Sequence, residues 1–182
     1  MKKLFLILPL ALILCIMVGC QDKEAMAELE EFKAQAALEE QNKELVRKWF
    51  EAIDKGNWDF IMEKGAPEYA EYLPSGVTES MSLEQGIEQT KMFIKGIPDI
   101  VHDIEEIIAV GDKVIVRFIG RGTHSGDIEE MGISATGNKI EVSSICIFRI
   151  EKGKVVEIRQ DADMLGLMQQ FGFELKPKEG EK

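Results

Sequence analysis

RGTHSGDIEEMGISATGNKIEVSSICIFRIEKGKVVEIRQDADMLGLMQQFG, residues 121–172, decides the fold. Over residues 140–150 and again over 155–163, apolar side chains alternate with polar ones. A period of two marks strands that bury one face. Lys152-Gly153-Lys154 between them reads as a turn, so the two runs form a hairpin. Asp163 then stands at the N-cap position of a short helix that begins with Met164. Upstream, Ile100, His102, Ile104, Ile108 and Val110 keep the same period, and Gly111-Asp112 joins them to Val114, Val116, Phe118 and Gly120 in a second hairpin.

The first half of the chain follows a different period. Leu45, Val46, Trp49, Phe50 and Ile53 recur at helical spacing until Gly56 ends the run. Asn57 is an N-cap for a short helix carrying Trp58, Ile61 and Met62, and Pro67, Tyr69, Tyr72 and Pro74 mark a loop or short strand. Ser82 and Gln85 form a capping box for a helix through Leu83, Ile87, Phe93 and Ile94, stopped by Gly96 and Pro98. Helices first and antiparallel strands second predict an α+β domain, one mostly antiparallel, curved sheet folded over helices. The sequence has no internal repeat, no metal-type clustering of His and Cys, and no glycine-rich phosphate loop, so neither a metal nor a cofactor is expected.

At the N-terminus, Lys2 and Lys3 precede an unbroken apolar run, residues 4–18, followed by Gly19 and Cys20. These are the n-region and h-region of a secretory signal, and the run falls short of the roughly 20 residues that a spanning helix needs. Met17-Val18-Gly19-Cys20 resembles the bacterial lipobox, with Met17 in place of the usual leucine. That resemblance implies cleavage before Cys20, lipid on Cys20, and a domain held on the outer side of a cell membrane. An uncleaved N-terminal anchor is the alternative, and it leaves the domain on the same side. Acyl chains contribute about 0.8 kcal/mol per buried methylene. The expected organisation is a signal over 1–19, a charged helical tether over 20–41, one folded domain over 42–173, and a polar tail over 174–182.

Cysteine usage and charge agree with that organisation. Cys15 leaves with the signal and Cys20 carries lipid, so Cys146, in an apolar strand, remains alone as a small buried hydrophobe. No disulfide can form within one mature chain. The formal charge of −11 becomes more negative once Lys2 and Lys3 are removed. Such a surface repels nucleic acid and anionic headgroups, so no nucleic-acid partner is expected and attachment to the membrane is through lipid.

Only two histidines are present. His102 lies next to Asp103 and shares parity with Ile100 and Ile104, which reads first as a structural strand histidine, with a cavity group as the alternative. His124, flanked by Gly122 and Gly126, continues the parity of Val116 and Phe118, which aims its imidazole inward; a histidine that caps the turn is the other reading. Asp161 and Asp163 close the last strand. Val156, Ile158 and Ala162 form its apolar face, whereas Glu157, Arg159, Asp161 and Asp163 share the opposite one. Asp163 therefore enters a pocket only if a bulge or the helix start turns it, and otherwise caps the helix.

Gly122-Thr123-His124-Ser125-Gly126, Ala135-Thr136-Gly137, Gly153-Lys154-Val155-Val156-Glu157 and Asp163-Met164-Leu165-Gly166-Leu167, continuing to Gly172, resemble the SnoaL-like polyketide cyclase (ester cyclase) family. Val46-Arg47-Lys48-Trp49-Phe50 and Pro98-Asp99 with Gly111-Asp112 extend the resemblance over residues 42–172. It implies a cone-shaped, nuclear-transport-factor-2-like α+β fold around an apolar cavity. It also implies cofactor-free ring closure by intramolecular aldol addition, with Asp163 as general acid/base and His124 as its neighbour. Trp49, Tyr69, Phe118 and His102 are the side chains expected to meet a small apolar substrate, although an aromatic at helical spacing such as Trp49 reads first as core. Arg159 stands where many relatives carry an aromatic residue, which would make the pocket wall more polar. Cyclase, isomerase and hydrolase chemistry on a carbonyl or ester compound all fit; the alternatives are a non-catalytic ligand-binding module and a scaffold that dimerises through the outer sheet face at Arg117, Ile119 and Arg121.

Overall fold

The computed structural model describes residues 4–174 and 176, with side chains from Lys23 onward. The side chains of the signal and of Cys20, and most of the tail expected over 174–182, therefore lie outside the described residues. Among the described residues no helix is long and apolar enough to cross a membrane.

The chain divides into two units, Met1–Leu38 and Glu39–Lys182. The first consists of the leading part of helix α1, Leu4–Asp54, whose thin stripe of Met26, Leu29 and Phe32 is exposed. The second contains the remainder of α1, then α2 (Trp58–Lys64), β1 (Gly65–Tyr72), α3 (Leu83–Gly96), β2 (Val101–Val110), β3 (Lys113–Thr123), β4 (Lys139–Glu151), β5 (Lys154–Ala162) and α4 (Met164–Gln170). The five strands form one sheet in the order β1-β5-β4-β3-β2, antiparallel except where β1 runs parallel to β5. This is the α+β architecture expected from the sequence.

Local signals set the helix ends. Gly56 adopts a left-handed φ of 65°, which lets Asn57 N–H reach Ala52 O at 2.8 Å and Gly56 N–H reach Ile53 O at 3.0 Å, a Schellman close to α1. Asn57 Oδ1 accepts from Phe60 N–H at 3.3 Å to start α2. The Ser82–Gln85 capping box is present at α3, with Ser82 N–H donating to Gln85 Oε1 at 2.8 Å. Proline in β1 is tolerated because β1 is an edge strand.

The inner sheet face follows the predicted alternation. Val114, Val116 and Phe118 of β3, Cys146 and Phe148 of β4, and Ile158 of β5 pack against Val46, Trp49 and Phe50 of α1 in the main core. A second apolar cluster, formed by Ile97, Ile128, Ile133, Ile140, Leu167 and Phe171, closes the end beneath α4. Glu39 and Asn42 tie α1 to the β2–β3 turn: Gly111 N–H donates to Glu39 Oε1 at 2.9 Å, and Asn42 Nδ2 donates to Gly111 O at 3.2 Å. On the outer face, Arg117 pairs with Glu105, and Arg121 pairs with Asp103 and Glu141.

Candidate active site

Between the inner sheet face and helices α1, α2 and α3 lies a cavity of about 320 Å³. Its walls are mostly apolar and come from every layer: Trp49 and Phe50 from α1, Ile61 from α2, Ile87 and Phe93 from α3, and Phe118, Phe148 and Ile158 from the sheet. Trp49, Tyr69, Phe118 and His102 all line it. Trp49 stacks on Tyr69 with ring centroids 6.2 Å apart and meets Phe148 edge-on at 6.4 Å.

The sequence-derived acid/base pair is not assembled in this cavity. Asp163 is exposed and caps α4, its Oδ1 accepting from Gly166 N–H at 2.8 Å. Its parity is that of the charged face of β5, and no bulge turns it inward. His124 does point inward, as the alternation predicts, but its ring is buried at the end of the sheet, 4.5 Å from the ring of Phe171, and does not line the cavity. Thr136 N–H donates to His124 Nδ1 at 3.3 Å, so Nε2 carries the proton; it meets no hydrogen-bond partner among the described residues. Backbone bonds from His124 N–H to Asn138 O and from Gly137 N–H to His124 O clasp the following loop. Gly126 lies so close to α3 that a Cβ there would overlap the Lys95 carbonyl, which accounts for the second glycine of the motif.

Arg159 is likewise absent from the cavity wall. Its guanidinium lies 3.9 Å over the Tyr72 ring and donates to Ser75 O at 3.1 Å and to Glu157 at 3.0 Å. Asp161 accepts from Ser75 N–H at 3.1 Å, so the charged face of β5 holds the segment after β1. The β5 residues that do enter the cavity are Ile158, Gln160 and Ala162, in register with Phe148, Cys146 and Ser144 of β4. Cys146 Sγ lies 3.3 Å from Gln160 Oε1, and burial raises the thiol's pKa well above its ordinary value. A thiol held protonated is a poor nucleophile.

Among the described lining residues, one carboxyl faces the cavity, and the sequence reading missed it: Glu71. It sits on β1 two residues after Tyr69, so both side chains share the inner face of the strand. Tyr69 O–H donates to Glu71 Oε2 at 2.8 Å. Burial raises the Glu71 pKa above its ordinary value, and the Tyr69 hydrogen bond opposes that rise without cancelling it. Burial first, and then the neighbouring carboxylate, push the Tyr69 phenol well above its own ordinary value. Gly86, inside α3, makes the room: a Cβ at that position would overlap Glu71 Oε2. An interior helix glycine costs about 1 kcal/mol against alanine, and here the empty volume is occupied by the carboxyl. No cluster of His, Cys, Asp or Glu suited to a metal occurs among the described residues.

Residues 43–171 match the family model of SnoaL-like polyketide cyclases. Among solved structures, AclR of Streptomyces galilaeus, a candidate hydroxylase, superposes with a TM-score of 0.67 at 23% identity, covering 77% of this chain and 91% of AclR. IdmH of Streptomyces antibioticus, a candidate polyketide cyclase, gives 0.64 at 24%, covering 73% and 99%. TsrD of Streptomyces laurentii gives 0.62 at 26%, covering 72% and 95%. No protein of curated function matches the chain.

Proposed function

Because the chain belongs to the SnoaL-like polyketide cyclase family, we propose that its cavity binds a small apolar carbonyl or ester compound and performs cofactor-independent acid/base chemistry of the cyclase type on it. The observation that carries this reading is Glu71, a carboxyl set in an apolar cavity with a raised pKa and a single phenolic donor. Burial raises the Glu71 pKa and so favours its protonated form, and a protonated carboxyl can donate to a carbonyl oxygen and stabilise the enol that forms when the neighbouring carbon loses a proton. Tyr69 fixes one carboxyl oxygen and leaves the other for the substrate. The apolar walls orient the substrate and exclude water, which strengthens that hydrogen bond.

Deuterium uptake at the α-carbon of 2-indanone, an apolar cyclic ketone, tests the reading. The protein is expected to accelerate uptake, and Glu71→Gln to lose about 10²-fold of that rate, the usual scale of general acid catalysis. Ketone that binds, as followed by quenching of the two tryptophans, both of which line the cavity, but exchanges no faster than in buffer would contradict it. That outcome would favour a second reading, a ligand-binding module without turnover. One observation supports it already: the β5 side chain that faces the cavity opposite Cys146 is the neutral Gln160.

Attachment is part of the same proposal. The charged n-region, the apolar h-region and Met17-Val18-Gly19-Cys20 support cleavage before Cys20, lipidation of that cysteine and an extracytoplasmic, membrane-anchored domain. Mass spectrometry of the native N-terminus is expected to find acylated Cys20; an unmodified Met1 terminus would contradict it.

A further inference from the structure

The cavity holds a second titratable side chain, and its surroundings differ from those of Glu71. His102 is the second residue of the edge strand β2, and Asp54 is the last residue of α1. One carboxylate grips both ends of the histidine: Asp54 Oδ2 accepts from the His102 backbone N–H at 3.2 Å, and Asp54 Oδ1 is hydrogen-bonded to the ring Nδ1. As an acceptor only, the carboxylate fixes Nδ1 as the protonated nitrogen of the neutral ring, leaving the Nε2 lone pair at the far edge. The ring packs against both Phe50 and Phe118, with centroids at 5.6 and 5.4 Å, and both of those residues line the cavity. The Cδ2 side of the ring, away from Nδ1, faces Gly120, another lining residue: Cδ2 lies 4.0 Å from where a Gly120 Cβ would stand.

We propose that His102 is the base that complements Glu71, with Asp54 as its positioning residue. The inference rests on reading the cavity as a carbonyl acid/base site. In the step it assigns, His102 Nε2 takes the proton from the carbon alpha to the carbonyl and becomes imidazolium beside the Asp54 carboxylate. The electron pair of that C–H bond becomes the enol double bond, and the carbonyl oxygen takes the proton of Glu71. Reversal returns both protons; in ring closure the enol carbon attacks a second carbonyl of the same molecule, whose oxygen takes up the imidazolium proton, while the enol O–H proton returns to the Glu71 carboxylate as the first carbonyl re-forms. The cavity thus carries a buried carboxyl and an imidazole whose Nδ1 is tied to a carboxylate, a donor and an acceptor of the kind that acid/base catalysis needs.

The experiment is α-deuterium uptake by 2-indanone, catalysed by the full protein and its variants. His102→Ala is expected to lose about 10²-fold in rate at saturating ketone, and added imidazole is expected to restore part of it. Asp54→Asn is expected to slow exchange without imidazole rescue, because its ring is present but misoriented. In the unsubstituted protein, nitrogen-15 spectra of His102 should report the Nδ1–H tautomer and a shift of Nε2 when ketone is added. If Glu71→Gln loses activity while His102→Ala keeps it, the assignment of His102 is overturned and the reading of the cavity stands. An Nε2–H tautomer, or an Nε2 signal that does not respond to ketone, also overturns the assignment. If the unsubstituted protein binds ketone without exchange, both fall.

Discussion

Gly86→Ala is an informative perturbation because two effects of opposite sign meet in one methyl group. In the interior of a helix such as α3, glycine to alanine ordinarily stabilises by about 0.5–1 kcal/mol through backbone entropy. Here the added Cβ would overlap Glu71 Oε2, and the Tyr69 hydroxyl lies only 4.0 Å away. The carboxyl must swing aside, losing the 2.8 Å bond from Tyr69 and leaving the phenol buried without an acceptor, at a cost of about 1–3 kcal/mol. The substitution should therefore destabilise by up to about 2 kcal/mol. With Glu71→Ala already in place nothing obstructs the methyl, and Gly86→Ala should stabilise by about 0.5–1 kcal/mol. Urea denaturation of the four proteins of this cycle, read as a change in midpoint at constant slope, should give a coupling of about 1–3 kcal/mol between positions 71 and 86. Equal stabilisation in both backgrounds would refute the contact on which the placement of the Glu71 carboxyl depends.

Three further outcomes follow from the same geometry. Because the folded pKa of Glu71 lies above its unfolded value, the folded state holds the proton more tightly between the two. The contribution of Glu71 to stability is therefore present below the unfolded value and is lost as pH rises through the folded one, so Glu71→Gln should be relatively more stable at the alkaline end, and thermal melts across pH should flatten accordingly. Asp163→Ala should cost about 1 kcal/mol in chemical denaturation, as the loss of an N-cap does, and leave 2-indanone affinity and exchange unaltered; a loss of exchange at unchanged affinity would return Asp163 to the chemistry. His124→Ala should cost about 3 kcal/mol, from the void beside Phe171 and the freed Thr136 donors, with ketone binding retained in the folded fraction; a change within experimental error would show that the ring is not packed there.

Alternation in the sequence located β2 through β5, the two hairpin turns and the capping signals at Asn57 and Ser82, because each depends on neighbours a few residues apart. β1 was less legible. Pro67 falls within it and Pro74 just after it, and its strand character depends on parallel pairing with β5, more than 80 residues away. Glu71 was lost with it: in an acidic stretch bounded by prolines a glutamate reads as solvated, and only the parity shared with Tyr69 signals otherwise. Strand parity correctly set Asp163 on the charged face of β5, and the same parity assigns Gln160 to the apolar face, a consequence that the polar character of the residue obscured. For His124 the alternation gave direction but not depth, since the second cluster beneath α4 assembles from α3, the loop carrying Ile128 and Ile133, β4 and the last helix together. His102 and Asp54 are 48 residues apart and meet only because α1 ends beside the start of β2.

The central claim is that the Glu71 carboxyl donates a hydrogen bond to a carbonyl held in the cavity. The infrared carbonyl stretch of bound 2-indanone measures that bond directly. It is expected to fall in frequency on binding to the unsubstituted protein and to return toward its value in apolar solvent when Glu71→Leu removes the donor. The same frequency in both proteins would contradict the claim.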